Sequence, residues 1–222
     1  MTDASVKNNL EANMPKIVDK EEKARAISDA ALKVFRRKGY PGTRMVDIAE
    51  VADIGKGTVY EYFKNKADIL KFAFDQYFST FTEGAREAMS SATGAADKLL
   101  AFVDFALGHI ADWEDHCTAY VDYFSSEKSG KGGTYSLSAI YQAAEGMIAG
   151  LVKEGQSAGE IDPSYDPQAM GELLVSIYDG IILRRLFDEK GVDRFLLRKT
   201  ANEFVGKGLL RLNHETRPEV EK

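Results

Sequence analysis

Residues 43–68, TRMVDIAEVADIGKGTVYEYFKNKAD, hold two short helical patterns separated by a turn and followed at once by a capped third helix. The first pattern puts Met45, Ile48, Ala49 and Ala52 on one face at three- and four-residue spacing, with Thr43 placed to cap it. The second, Lys56 to Phe63, turns Val59 and Phe63 inward at i, i+4. Its other face keeps Lys56, Thr58, Tyr60 and Tyr62, donors and aromatic hydroxyls suited to phosphates and base edges. Between them Ala52-Asp53-Ile54-Gly55 has the length of a helix-turn-helix turn, with Gly55 expected at the sharp bend.

Upstream, Ile27, Ala31, Val34 and Phe35 recur at i, i+4, i+7, i+8. The basic last turn Arg36-Arg37-Lys38 and then Gly39 end that helix. Downstream, Asn65 can cap a fourth helix with Asp68 three residues on, and Leu70, Ala73, Phe74, Tyr77 and Phe81 run down one side towards Ser90. Residues 1–19 are polar, lack periodicity and contain Pro15, so they read as a disordered arm. Residues 20–66 read as a helix-turn-helix DNA-binding domain, and 67–222 as a helical ligand-binding and dimerisation domain. Helical signals continue at 95–110, 112–127, 134–157, 167–188 and 192–212, with breaks at Ser129 to Gly133, Gly159 to Pro163 and Lys190-Gly191. The fold class is all-α, about nine helices in two lobes.

Composition narrows the function. The chain of 222 residues carries a net charge of −6, but Lys20 to Lys71 hold 12 Lys and Arg against 8 Asp and Glu. The basic excess sits with the helix-turn-helix, and the acidic remainder would be repelled by phosphate, which orients the molecule on DNA. No apolar run approaches the ~20 residues a membrane span needs, and the N-terminus lacks a signal-peptide core, so a cytoplasmic protein without membrane contact is expected. The lone Cys117 excludes an internal disulfide and fits a reducing compartment.

With Phe35, Gly39-Tyr40, Thr43, Asp47-Ile48-Ala49, Ala52, the run Gly55 to Lys66 and Leu70 in place, the chain resembles the N-terminal domain of the TetR family of transcriptional regulators over about 50 residues. The resemblance implies a homodimeric DNA-binding regulator, usually a repressor, released from its operator by a small molecule held in the C-terminal domain. It places Thr58, Tyr60 and Tyr62 towards the groove, and Tyr60 and Lys66 on the phosphate backbone. The residues point the same way. Lys66 lies in the first turn of the fourth helix, where backbone N–H groups and a cation favour phosphate. Gly57 would let the backbone approach DNA, Lys56 suits guanine, and Arg44 could hold the neighbouring strand. Many relatives have serine where Gly55 stands, and glycine is only slightly worse as a cap.

The C-terminal two-thirds suggests two further sites. Met170, Leu174, Ile177 and Ile181, with Leu173 beside them, and then Phe204 and Leu209 among the apolar positions of the last helix, form two stripes. By the resemblance these would pair with their symmetry mates in a four-helix dimer interface, matching a palindromic operator on double-stranded DNA. Phe102, Phe105, Trp113, Tyr120, Tyr123, Phe124, Tyr141 and Met147 cluster in sequence as the wall of a pocket for an apolar or aromatic effector. His109, Asp112, Asp115 and His116 fit one helix only partly as metal ligands and read as surface polar residues, so neither metal nor cofactor is expected. No nucleophile, base and orienting group stand at a diagnostic spacing, and Gly55-Lys56-Gly57-Thr58 lacks the preceding glycine of a phosphate-binding loop, so catalysis is not expected. The competing reading is a helical small-molecule-binding protein or enzyme whose N-terminal helices do not bind DNA.

Overall fold

A computed structural model describes residues 15–126, 137–188 and 193–209. Among these the fold is all helical: α1 (Pro15–Lys38), α2 (Met45–Val51), α3 (Lys56–Tyr62), α4 (Lys66–Ser90), α5 (Ala95–Gly108), α6 (Ile110–Ser126), α7 (Leu137–Ser157), α8 (Pro167–Phe187) and α9 (Arg194–Leu209). The first helix begins five residues ahead of Lys20, since a proline is tolerated in a first turn whose N–H groups have no helical partner. Residues 1–14, the breaks at Ser129 to Gly133 and at Lys190-Gly191, and Leu212 lie outside the described residues.

The chain divides into two compact units. One comprises residues 1–77 and 115–135, the other 78–114 and 136–222. The helix α6 therefore has its first residues in the second unit and the rest in the first. In the first unit α1 packs on α2 and α2 on α3. Its core is built from the faces that the periodicity selects: Ile27, Ala31, Val34 and Phe35 of α1, Ile48 and Ala49 of α2, Val59 of α3, and Leu70, Ala73 and Phe74 of α4. Phe74 stacks edge-on against Tyr120 of α6 at 4.7 Å. Asn65 caps α4, its side-chain oxygen accepting from the Asp68 amide at 2.9 Å.

The second unit packs α7 against α5 and α8, with α9 on α5. Ala96, Leu99, Ile148, Val152, Ile161, Met170 and Val205 form its buried centre. The closest approach is at Gly171, where a Cβ would stand 2.5 Å from the Glu145 carbonyl oxygen of α7, so only glycine fits. Asp166 caps α8 by accepting from the Ala169 amide at 2.8 Å, with Pro167 in the first turn. Arg198 of α9 pairs with Asp104 of α5, and Asn202 donates to the same carboxylate at 2.6 Å. No helix of the described residues is long and apolar enough to cross a membrane.

Candidate nucleic-acid interface

The turn that joins α2 to α3 bends at a different residue from the one expected. Gly55 has φ −62° and ψ 142°, ordinary extended backbone at the N-cap of α3. The left-handed residue is Asp53, at φ 53°. A short polar side chain makes aspartate one of the few non-glycine residues found in that region, so the bend needs no glycine. The cap of α2 also differs. Thr43 is buried and its hydroxyl donates to the Gly39 carbonyl at 2.8 Å, while Arg44 takes the N-cap position. The Arg44 amide donates to the Asp47 carboxylate at 2.8 Å, closing the first turn from the far side.

Asp47 is buried and receives two further donors, Lys38 of α1 at 2.9 Å and the Arg44 guanidinium at 3.2 Å. These bonds, that from the Arg44 side chain foremost, hold its carboxyl well below the usual carboxylate range. Arg44 itself is exposed, with its pKa raised by the same pair.

On α3 the division of faces is clear. Val59 and Phe63 are buried, whereas Lys56 and Gly57 are exposed and Tyr60 is 47% exposed. Thr58 and Tyr62 are half-buried at the edges of that face. The Lys56 ammonium lies 5.8 Å from the Tyr60 ring centre, and no neighbour stands within 4 Å of where a Cβ on Gly57 would be. Glu61, which the donor-based reading of the helix passed over, is also exposed on this side. At 100° per residue it lies nearly opposite Val59.

Lys66 occupies a place other than the phosphate contact expected of it. Its three protons meet three backbone carbonyls, of Tyr40 at 2.6 Å, Thr43 at 3.1 Å and Pro41 at 3.2 Å. The ammonium also sits 4.4 Å from the Tyr40 ring centre. Burial pushes it below the usual lysine range. An ammonium has three donors, so this one is saturated inside the protein. No sequence spacing signals that contact, because the partners are main-chain atoms of a loop more than twenty residues away.

The residues read as a pocket wall are shared between the two units. Tyr120 and Tyr123 belong to the first unit, against Phe74 and Tyr40. Phe102, Phe105, Tyr141 and Met147 belong to the second. There Phe102 and Met147 pack on the buried core, and Phe105 stacks with Phe81 and His109 at 5.2 and 4.0 Å. Tyr141 hydrogen-bonds Asp179, whose pKa burial raises. The side chains of Trp113 and Phe124 lie outside the described residues. His109 and His116 fall in different units, the first bonded to the Phe105 carbonyl at 2.8 Å, the second stacked on Tyr77 at 4.8 Å.

The stripes read as a dimer interface divide similarly. Met170 is buried in the second unit's core and Leu174 packs against it, while Ile181 is half-buried. The open apolar positions are Ile177 and Phe204 with Leu173, Leu183, Phe187, Phe195 and Leu196. The side chain of Leu209 lies outside the described residues.

Residues 27–72 match the model of the bacterial regulatory proteins of the tetR family. That N-terminal domain belongs to the TetR family. It is 26% identical to the fatty acid metabolism regulator protein of Bacillus subtilis over 86% of this chain and 97% of that one. Among solved structures it is similar to the fatty acid degradation regulator FadR of Bacillus halodurans, with TM-score 0.68 at 21% identity over 82% of this chain and 94% of the other. A regulator from Saccharomonospora viridis in complex with choline superposes with TM-score 0.73 at 20% identity, over 86% and 99% of the two chains. The chain is thus a DNA-binding transcriptional regulator and not an enzyme. The reading without DNA binding is set aside.

Proposed function

We propose that this regulator is a homodimeric repressor that reads a palindromic operator with α3 and leaves it when a small apolar molecule binds the second unit. The observation that carries the reading is the two-sided character of α3. Val59 and Phe63 anchor it from behind, and Lys56, Gly57, Thr58, Tyr60 and Tyr62 make up its open face and edges. In this reading Lys56 takes guanine, Tyr60 and Thr58 take phosphate oxygens, and Glu61 accepts from the amine of cytosine, the base whose major-groove edge offers a donor alone. Arg44, exposed beside the N-terminus of α2, holds the neighbouring strand. Lys66 contributes by fixing the loop ahead of α2.

Selection from a pool of random duplexes tests this. The wild-type protein is expected to enrich a two-fold symmetric sequence whose half-sites lie about 34–36 Å apart. Tyr60→Ala is expected to bind that sequence at least tenfold more weakly in a gel shift, and Glu61→Ala to relax preference at one cytosine position per half-site. Undiminished binding by Tyr60→Ala would remove α3 from the groove.

For the effector, the names of the two fatty-acid regulators favour a molecule with a long apolar body. Melting curves with oleate, palmitoyl-coenzyme A and choline check it. A rise with either acyl compound, together with release of the selected duplex, is the expected result, and a rise with choline alone would reassign the effector as a cation.

A further inference from the structure

The loop 39–43 links the end of α1 to the start of α2, and both main-chain polar groups of Tyr40 within it are held. Its carbonyl accepts from Lys66 at 2.6 Å, and its amide donates to the carboxylate of Asp122 at 3.1 Å, across 82 residues of sequence. Its ring packs between Phe35 and Tyr123, each at 5.2 Å. Gly39 stands at φ +72°, and a Cβ there would lie 3.2 Å from the Asp122 carboxylate, so the loop is shaped to admit that oxygen. Lys66 is carried by the first turn of α4 and Asp122 by α6. Helix α6 begins among residues of the second unit.

A loop of five residues leading into a seven-residue helix has little stiffness of its own. Hydrogen bonds to it from fixed elements decide where α2, and α3 behind it, start. We propose that Asp122 is a positioning residue for DNA binding: its carboxylate latches the Tyr40 amide and so fixes where α2 and α3 start. The charge of Asp122 touches no DNA in this scheme. Only its acceptor oxygen matters. The inference rests on the helix-turn-helix as the DNA-reading element, and Tyr60→Ala is the control that fails if that premise does.

The test uses full-length protein, the duplex selected by the wild type, and amide hydrogen exchange. One hydrogen bond is worth about 0.7–1.4 kcal/mol, equivalent to about three- to tenfold in affinity. Asp122→Ala is expected to bind the duplex weaker by that factor, with fast exchange at the Tyr40 amide and unchanged protection at Ile27 and Val34. Asp122→Asn retains an acceptor oxygen and is expected to restore both the protection and the affinity to within about twofold. Fast exchange at Tyr40 with wild-type affinity in Asp122→Ala would overturn the proposal. So would an Asp122→Asn protein that protects Tyr40 yet binds as weakly as the alanine variant. Should Asp122→Ala fail to stay folded at the assay temperature, the asparagine variant decides alone by the same criterion. Loss of the Tyr60→Ala effect would instead count against the groove assignment and leave the latch to be judged by exchange and affinity together.

Discussion

Gly57 stands in a helix with open space around its missing side chain, and the two facts pull apart what the fold needs from what DNA needs. Alanine in a helix is preferred over glycine by up to about 1 kcal/mol, so Gly57→Ala is expected to raise the melting temperature. The added methyl would project from the face that Tyr60 and Lys56 share, where a recognition helix approaches base edges closely. Binding of the selected duplex is therefore expected to fall by about tenfold while stability rises. Equal or better binding would show that nothing approaches this face so closely. Asp47 makes the opposite case, a residue whose chemistry is spent inside. Its folded-state pKa is depressed, chiefly by the Arg44 hydrogen bond and then by Lys38, so its stabilisation is complete above an unfolded pKa of about 3.9 and is lost as the pH falls through the folded value. Urea unfolding of wild type and Asp47→Asn is expected to show a gap in midpoint at pH 6 that closes as the pH is lowered below about 4. A gap that widened there would mean that the carboxylate is not the stabilising form.

At the scale of elements, α7 and α8 are held at a distance set by Gly171. Replacing it with alanine would gain helix propensity of about 1 kcal/mol, as at Gly57, but the new methyl would meet the Glu145 carbonyl at 2.5 Å. Backbone inside a helix cannot swing aside as a long side chain can. Overpacking of this kind costs about 1–3 kcal/mol, so the net expectation for Gly171→Ala is a loss of stability in thermal unfolding. A gain would mean that the two helices part easily. Elements were also the scale at which the sequence was most readable. Val59 and Phe63, or Ile27, Ala31, Val34 and Phe35, declare their helices because burial repeats with the helical period, and Asn65 declares a start because its side chain bonds within three residues. Asp53 was hidden because the glycine two residues on is the commoner bender of chains. Lys66 and Asp122 were hidden for a deeper reason. Each acts on the main chain of residues 40–43, and main-chain partners leave no pattern in side-chain identities. The aromatic residues from Phe102 to Met147 are near in sequence along α5, α6 and α7, and that nearness does not tell which of the two units each belongs to, because α6 has residues in both.

For the whole molecule, the telling observation is that α8 carries large apolar side chains outward as well as inward. Met170 and Ile182 face inward, while Leu173 is 52% and Phe187 82% exposed. On α9, Phe195 is 76% and Phe204 69% exposed, although Val205 beside it is buried. Large apolar side chains gathered in the open mark a surface that another protein covers. In the dimer proposed above the occupant is a second copy of the chain, which supplies the second α3 for a two-fold symmetric operator. Phe204→Glu places a charge on that surface without touching the core, so the monomer is expected to keep its helical circular dichroism. Sedimentation velocity is expected to show the wild type near twice the chain mass of 24.5 kDa and the variant near that mass itself. Binding to a full operator should then weaken far more than binding to a single half-site, since only the full site rewards two linked helices. Each protomer also brings its own phosphate contacts, so the slope of log affinity against log salt should fall by about half in the variant. A dimeric Phe204→Glu protein would remove α9 from the interface, and an unchanged salt slope in a monomeric one would mean that a single α3 makes all the phosphate contacts.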